Sequence, residues 1–295
     1  MHSGIGPAGH LREFNIPVVK DIPAVGQNLA DHPFTPLIFA RDPATNDRNA
    51  FYGSEEAMDA AQKQWLHDHS GPWSRHGSQI SIGWLKSEAI SSSPEYAALP
   101  GQVQSFLEKP TIPHFEVTSH FPVHMLAPDM FTDYSYVCLA ALVMNGQSRG
   151  DLRLQSSNPL TPLLCNPNIL SHSFDQRVCI EATREILSMT KHPSFAKDTR
   201  GMILGPKSES DQDILGFWRE TCGSSWHMTG TARMGCSKEK EESVVDSAFR
   251  VFGVQGLRAA DLSVVPVLTN NHTQATAYVT GVACADVLIR EYGLD

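Results

Sequence analysis

The sequence predicts an α/β (α+β) fold built on an antiparallel sheet flanked by helices. Two observations carry this reading. Strand-like segments at 114–121, 134–144 and 150–155 follow one another with only loops between them. Strands joined by loops rather than by helices pair antiparallel. After residue 170 the apolar period changes from 2 to 3.6 in the segments 174–190, 211–222 and 273–290, which predicts helices.

The elements follow in order. Residues 1–36 are rich in Gly and Pro, with a short β-prone piece at Ile16–Val19. Residues 53–70 are polar and helix-permissive until Ser70-Gly71-Pro72 breaks them. His114 to Phe121 alternates for much of its length, Tyr134 to Met144 is apolar enough for a well-buried strand, and Gly150 to Gln155 alternates again. In the helix expected at 174–190, Val178, Ala182, Ile186 and Met189 share one face, with Asp175, Arg177, Glu181 and Arg184 largely off it. Ser210 is the expected N-cap of a helix that turns Ile214, Phe217 and Trp218 inward. In the last segment Ala275, Tyr278, Val282, Ala285 and Ile289 keep helical spacing. Asn270 or Asn271 is the expected cap there, and Arg290 suits the C-terminal end.

Composition narrows the function classes. The 295 residues are 41% hydrophobic and 19% charged, as in a globular protein with a full core. A formal net charge of −9 argues against nucleic acid or an anionic membrane as partner, since both need a basic face. No run reaches the ~18 apolar residues of a membrane span. Met1-His2-Ser3-Gly4 has neither the basic start nor the apolar stretch of a signal peptide, so a cytoplasmic location is the default expectation. The six cysteines are irregularly spaced and no pair reads C-x-x-C, so neither a zinc site nor a disulfide framework is expected. His120 and His124 read H-x-x-x-H, but Pro122 between them argues against a helix that would bring both to one face.

Gly4-Ile5-Gly6-Pro7-Ala8-Gly9 matches the dinucleotide fingerprint G-x-G-x-x-G literally. The fingerprint works because its first glycine turns a strand into a helix. Only three residues precede Gly4, so the match is read as a Gly-rich loop of another kind.

Two histidines stand in unusual surroundings. His227 lies in Ser224-Ser225-Trp226-His227-Met228-Thr229-Gly230-Thr231, whose small residues let backbone approach a ligand closely. His272, in Asn270-Asn271-His272-Thr273-Gln274, is expected in the first turn of the final helix. The positive end of the helix dipole would keep its imidazole neutral, able to accept a proton from an alcohol. Between them, Gly256-Leu257-Arg258-Ala259-Ala260-Asp261 reads either as a short strand ending in an acidic residue or as a turn aspartate. Residue types alone give an acid/base pair, not a reaction.

Taken together these segments resemble the glucose–methanol–choline (GMC) oxidoreductase family. Ser3 to Ala8 with His10-Leu11 is similar to the end of its second signature. Val25-Gly26-Gln27-Asn28-Leu29-Ala30-Asp31-His32 resembles its VG-x-NL-x-DH loop. Gly150 to Gln155 with Asn158-Pro159, Trp226-His227 through Met234-Gly235, Val244-Val245-Asp246, Gly256 to Asp261 and Asn271 to Tyr278 complete the pattern in order. The resemblance implies a flavin enzyme acting on a small-molecule alcohol. It makes His227 the base that takes the alcohol proton while hydride passes to the flavin, and His272 the residue that orients the hydroxyl. It implies cofactor-binding roles for Ala260, Asp261, His272 and Thr273, with Asn28, Asp31 and His32 nearby, and a substrate-side role for Trp226. FAD is the implied cofactor, and no metal is implied. The local wording is more like fungal aryl-alcohol or secondary-metabolite members than the choline branch.

The same resemblance assigns 1–35 and 222–295 to the remaining part of a Rossmann-like FAD-binding domain, and 36–221 to a substrate-binding domain. The family's N-terminal strand, true G-x-G-x-x-G and acidic ribose ligand have no counterpart here. The expectation is therefore a truncated gene model, a fragment or one half of a split protein, with a missing N-terminal half as partner and weak or absent FAD binding by this chain alone. A non-redox relative (a cyclase or lyase), or an inactive remnant serving as a binding subunit, stands as the alternative.

Overall fold

The computed structural model describes residues 1–42, 51, 54–74, 81–119, 135–236 and 242–294. The chain divides into two compact units. One comprises Met1–His32, Asn145–Asp175 and Ser224–Asp295; the other comprises Pro33–Met144 and Gln176–Gly223.

The second unit is built on an antiparallel sheet. Its centre is β3 (Pro33–Arg41) against β6 (Ser135–Val143), in register from Phe34 opposite Leu142 to Arg41 opposite Ser135. β6 is buried along its whole length, as its unbroken run of apolar and small residues predicts. β5 (Phe115–Ser119) pairs with β6, and β4 (Ser81–Leu85) pairs with β5. β9 (Thr199–Leu204) also pairs with β3. The strands β3, β4 and β9 are absent from the sequence reading. In β3 the reason is Pro33 and Pro36: proline removes a ladder donor and usually demotes a strand. Here flanking apolar burial outweighs that loss.

The helix at Ser173–Thr190 buries Val178, Ala182 and Ile186 as its period predicts, but also Cys179, Ile180 and Leu187. Met189, expected inward, is exposed. The helix Asp211–Thr221 starts at Ser210, whose hydroxyl accepts from Asp213 N at 3.2 Å, and turns Ile214, Phe217 and Trp218 inward. Trp218 Nε1 donates to Thr183 Oγ1 at 2.9 Å, joining the two helices. On their outer side Arg177 pairs with Glu95, Glu181 and Asp211. The polar segment 53–70 forms the helix Glu55–Asp68, capped by Ser54 and ended by His69 in the left-handed region.

The first unit contains little regular sheet. β1 (Ile5–Gly6) and β2 (Lys20–Asp21) pair in parallel, while Ile16–Val19 forms no strand. β7 (Asp151–Arg153) pairs with β8 (Leu164–Asn166), not with β5 or β6. The third expected strand therefore leaves the large sheet, and 145–175 groups with the first unit, not with the segment 36–221 the sequence joined it to. Asp175, expected off the buried helix face, is buried: its carboxylate accepts from Gln147 N and Ser148 N at 2.7 and 2.8 Å, tying this segment down. A core of Ile22, Ala24, Val244, Val245, Phe249, Val251, Val264 and Cys284 holds the unit together.

The helix Gln274–Tyr292 buries Thr280 and Cys284. The residues that keep helical spacing in this segment turn an apolar stripe outward: Tyr278, Val282 and Ile289 are exposed. No helix among the described residues is long and apolar enough to cross a membrane. His120, His124 and Tyr134 lie outside the described residues.

Candidate active site

Two segments of the first unit, 28–32 and the stretch bearing His272, meet the His227 loop. Asn28 takes a left-handed conformation (φ 62°), turning the chain so that Leu29–His32 runs extended. Ala30 and Thr229 then exchange backbone hydrogen bonds of 3.1 and 2.9 Å as an antiparallel bridge. In an antiparallel pair, two residues on from one partner faces two residues back from the other. His32 is thereby brought opposite His227. Gly230 permits this approach: at φ 89° a Cβ there would sit 2.5 Å from the Asn28 carbonyl oxygen.

The imidazoles meet accordingly. His32 Nδ1 lies 3.1 Å from His227 Nδ1, with the rings edge to face at 5.2 Å between centroids. Both side chains are buried. On its other side His227 meets the His272 ring at 5.0 Å between centroids.

Asp31 fixes the backbone around this cluster. Its carboxylate accepts from His32 N at 2.8 Å, from His227 N at 3.1 Å and from the Ser224 hydroxyl. Burial raises its pKa above the usual carboxylate value, against the lowering by these hydrogen bonds. Ser225 Oγ donates to the His32 carbonyl at 2.7 Å and lies 2.9 Å from His227 Nδ1. Burial, then the neighbouring His227 and His272, lowers the His32 pKa to about 3. His32 is therefore neutral across the physiological range.

The remaining predicted residues fall as follows. Trp226 has φ 60° and is 70% exposed, a strained backbone carrying a large ring into solvent beside His227. His272 lies one residue before Thr273, which caps the helix Gln274–Tyr292 without a side-chain hydrogen bond. His272 is thus outside the first turn, and neither Asn270 nor Asn271 is the cap. Instead Asn271 Oδ1 accepts from Thr269 Oγ1 at 2.6 Å. Asn270 Oδ1 is buried with no hydrogen-bond partner among the described residues. Asp261 caps the short 3-10 turn Leu262–Val264, accepting from Ser263 N at 2.7 Å. Of the two readings of 256–261, the structure has the turn aspartate and not the strand: the segment's only bridge among the described residues joins Arg258 to Arg250, and Ala260 packs on the core. Ser224 and Ser225 join the candidate site through hydrogen bonds that the sequence reading missed. It valued them for size, and their hydroxyl roles depend on a strand 193 positions away.

Gly4 to Gly9 is structural. A Cβ at Gly4 would sit 2.3 Å from the Pro17 carbonyl oxygen, while Gly9 faces open space. The short helix Ala8–Glu13 receives the Asp21 carboxylate at Ala8 N, 2.9 Å away. A carboxylate there repels the phosphate a dinucleotide fingerprint would bind. No cluster of three or more His, Cys, Asp or Glu among the described residues is placed to hold a metal ion.

The model for GMC oxidoreductase matches residues 146–281, a span that includes both His227 and His272. The chain is 32% identical over 300 residues to the oxygen-dependent choline dehydrogenase of Rhizobium meliloti (strain 1021), covering 98% of this chain and 49% of that protein. This chain belongs to the glucose–methanol–choline oxidoreductase family. A second family relative, the glucose methanol choline oxidoreductase atC of Aspergillus terreus, is 28% identical over 281 residues, covering 94% of this chain and 44% of that one. Among solved structures, a formate oxidase variant of Aspergillus oryzae RIB40 superposes with a TM-score of 0.85 at 24% identity, over 99% of this chain and 52% of that one. This last likeness shows a shared fold. The GMC chain described here spans about half the length of the relatives it matches.

Proposed function

We propose that this GMC chain carries the proton-handling residues of an FAD-dependent oxidoreductase that oxidises a CH–OH group. The observation that carries the proposal is the adjacency of the His227 and His272 rings, 5.0 Å apart between centroids, on one compact unit. Two imidazoles at that separation can both hydrogen-bond a single hydroxyl. His227 takes the hydroxyl proton as base. His272 holds the hydroxyl in line, and the exposed Trp226 ring gives the substrate an apolar wall. Removing the proton raises the electron density on the carbinol oxygen, which drives hydride off the same carbon and leaves a carbonyl product.

The residues present fit the reactive ring of FAD. That ring presents both carbonyl oxygens and an N–H. The uncapped N-terminus of the helix Gln274–Tyr292 offers N–H donors and the positive end of a helix dipole. The buried Asn270 Oδ1 offers an acceptor. Thr273 and Ala260 would line the ring, and Asp261 would act through the 3-10 turn it caps. When bound, FAD supplies the acceptor for the hydride. Asp31, through its carboxylate, and His32, through Nδ1, would support the His227 loop, and Asn28 would set the left-handed turn that leads into them.

An N-terminal FAD-binding half is the proposed partner. The outward face of the C-terminal helix supports this. It forms an open groove of about 490 Å³ lined by Gln274, Ala277, Tyr278, Gly281, Val282 and Ala285. An apolar face of this kind marks a contact surface. Coexpression with the FAD-binding half of a relative tests the reading. The expected result is bound flavin that bleaches with an alcohol. Bound flavin with substrate consumed but no bleaching would favour a non-redox activity.

A further inference from the structure

We propose that His32 and Ser225 are positioning residues that fix the tautomer of His227, holding a proton on its Nδ1 so that Nε2 is the atom that exchanges protons.

The hydrogen bonds carry this by elimination. Ser225 Oγ stands 2.7 Å from the His32 carbonyl oxygen. A carbonyl only accepts, and two bare oxygen lone pairs at that distance repel, so the single hydroxyl proton lies between them. Ser225 Oγ then has only lone pairs left for His227 Nδ1 at 2.9 Å. His227 Nδ1 must therefore carry a hydrogen. That N–H also faces His32 Nδ1 at 3.1 Å, which makes His32 Nδ1 an acceptor and puts the His32 proton on Nε2. The reverse assignment, with His32 Nδ1–H donating to a bare His227 Nδ1, would set the lone pairs of His227 Nδ1 and Ser225 Oγ against each other.

The energetics point the same way. His32 Nε2 is buried with no partner among the described residues. A buried N–H without a partner is destabilising, and such a group calls for an explanation. A leucine would fill the space without that cost, but could not accept from His227. His32 also stays neutral, so it does not take the proton it faces. The neutral and protonated forms of His227 both keep Nδ1–H. The neighbouring pair is thus compatible with both, and proton exchange is confined to Nε2.

The positions are set by the fold. The Ala30–Thr229 bridge places His32 opposite His227, and Asp31 holds both of their backbone N–H groups. The role of Nε2 rests on the function proposed above, but the tautomer of His227 does not.

The test is long-range proton–nitrogen NMR on the full chain with 15N-labelled histidine, at about pH 8, where neutral imidazole dominates. His227 is assigned by the signals lost in His227→Gln. The expected wild-type pattern is a protonated Nδ1 and a lone pair on Nε2. The reverse pattern overturns the proposal; the tautomer is read on the wild-type chain, and His227→Gln serves only to assign its signals. In Ser225→Ala combined with His32→Leu, the His227 proton should move to Nε2. Ser225→Thr and His32→Asn, which keep an acceptor, should retain it on Nδ1. A double variant with unchanged tautomer also overturns the proposal. In the FAD-loaded assembly the double variant should lose about 10²–10⁴-fold in kcat with little change in KM. An intact tautomer pattern with an inactive assembly would instead count against the proposed oxidoreductase function.

Discussion

His32 Nδ1 lies 3.1 Å from His227 Nδ1, although 195 positions separate them. The contact follows from the Ala30–Thr229 bridge, which lies two residues before His32 and two residues after His227. The loop bearing His227 is therefore held from behind by the segment 28–32. That arrangement makes the stability of the segment and the chemistry of the site separable by mutation.

Asp31→Ala should unlock the loop. It removes the acceptor of two backbone N–H groups and the Ser224 hydroxyl. Leaving buried donors unsatisfied costs about 1–3 kcal/mol each, so a loss of roughly 3 kcal/mol is expected in urea unfolding of the full chain. Asp31→Asn, which keeps one acceptor oxygen, should lose less.

Gly230→Ala should push the two strands apart. Its Cβ would sit 2.5 Å from Asn28 O at a backbone angle (φ 89°) that alanine rarely adopts. A destabilisation of about 2–4 kcal/mol is expected from strain plus the lost bridge. Gly9→Ala, which meets open space in the first turn of the helix Ala8–Glu13, should be neutral or slightly stabilising. Thermal melts of the two variants side by side check the contrast.

Stability should fall as the pH drops below neutrality. Burial lowers the pKa of His32 to about 3 and of His114, which accepts from Ser87 N, to about 4. The unfolded chain protonates both near 6.5, the folded chain only far lower. The unfolded state thus binds more protons between those values, and stability rises with pH through the window. At pH 5 each histidine should cost about 2 kcal/mol relative to pH 7.5. His114→Gln should flatten the pH dependence of the melting temperature. An unchanged slope would contradict the assignment.

Trp226→Gly should separate strain from function. Trp226 holds a left-handed backbone and makes its ring 70% exposed. Glycine relieves strain of about 1 kcal/mol, so the melting temperature should hold or rise. The substrate wall is lost, so KM should rise in the FAD-loaded assembly.

The sequence carried the fold where period and burial coincide. Tyr134 to Met144, Ser210 as a cap and the break at Ser70-Gly71-Pro72 all reappear in the structure, at Ser135–Val143, Asp211–Thr221 and Glu55–Asp68. It failed where tertiary contacts override local signals. Pro33 and Pro36 hid β3, and the pairing of β7 with β8 took 150–155 out of the sheet. The apolar stripe of the last helix points outward, because periodicity reports that a face is apolar but not what covers it. At the site, His227 and His272 were legible from their loops as candidates, and the structure brings their rings within 5.0 Å between centroids. The supporting roles of Asp31, His32, Ser224 and Ser225 were not, since they depend on a bridge register between distant segments. His272 shows the reverse error: the shift of the cap from Asn270 or Asn271 to Thr273 moves it out of the dipole's first turn.

The central claim is that His227 takes the substrate proton. It is tested most directly by coexpressing this chain with an FAD-binding half and following alcohol-dependent flavin bleaching in wild type and His227→Ala. The account predicts equal flavin content in both, with bleaching slowed at least about 10²-fold in His227→Ala. Equal bleaching rates at equal flavin content would contradict it.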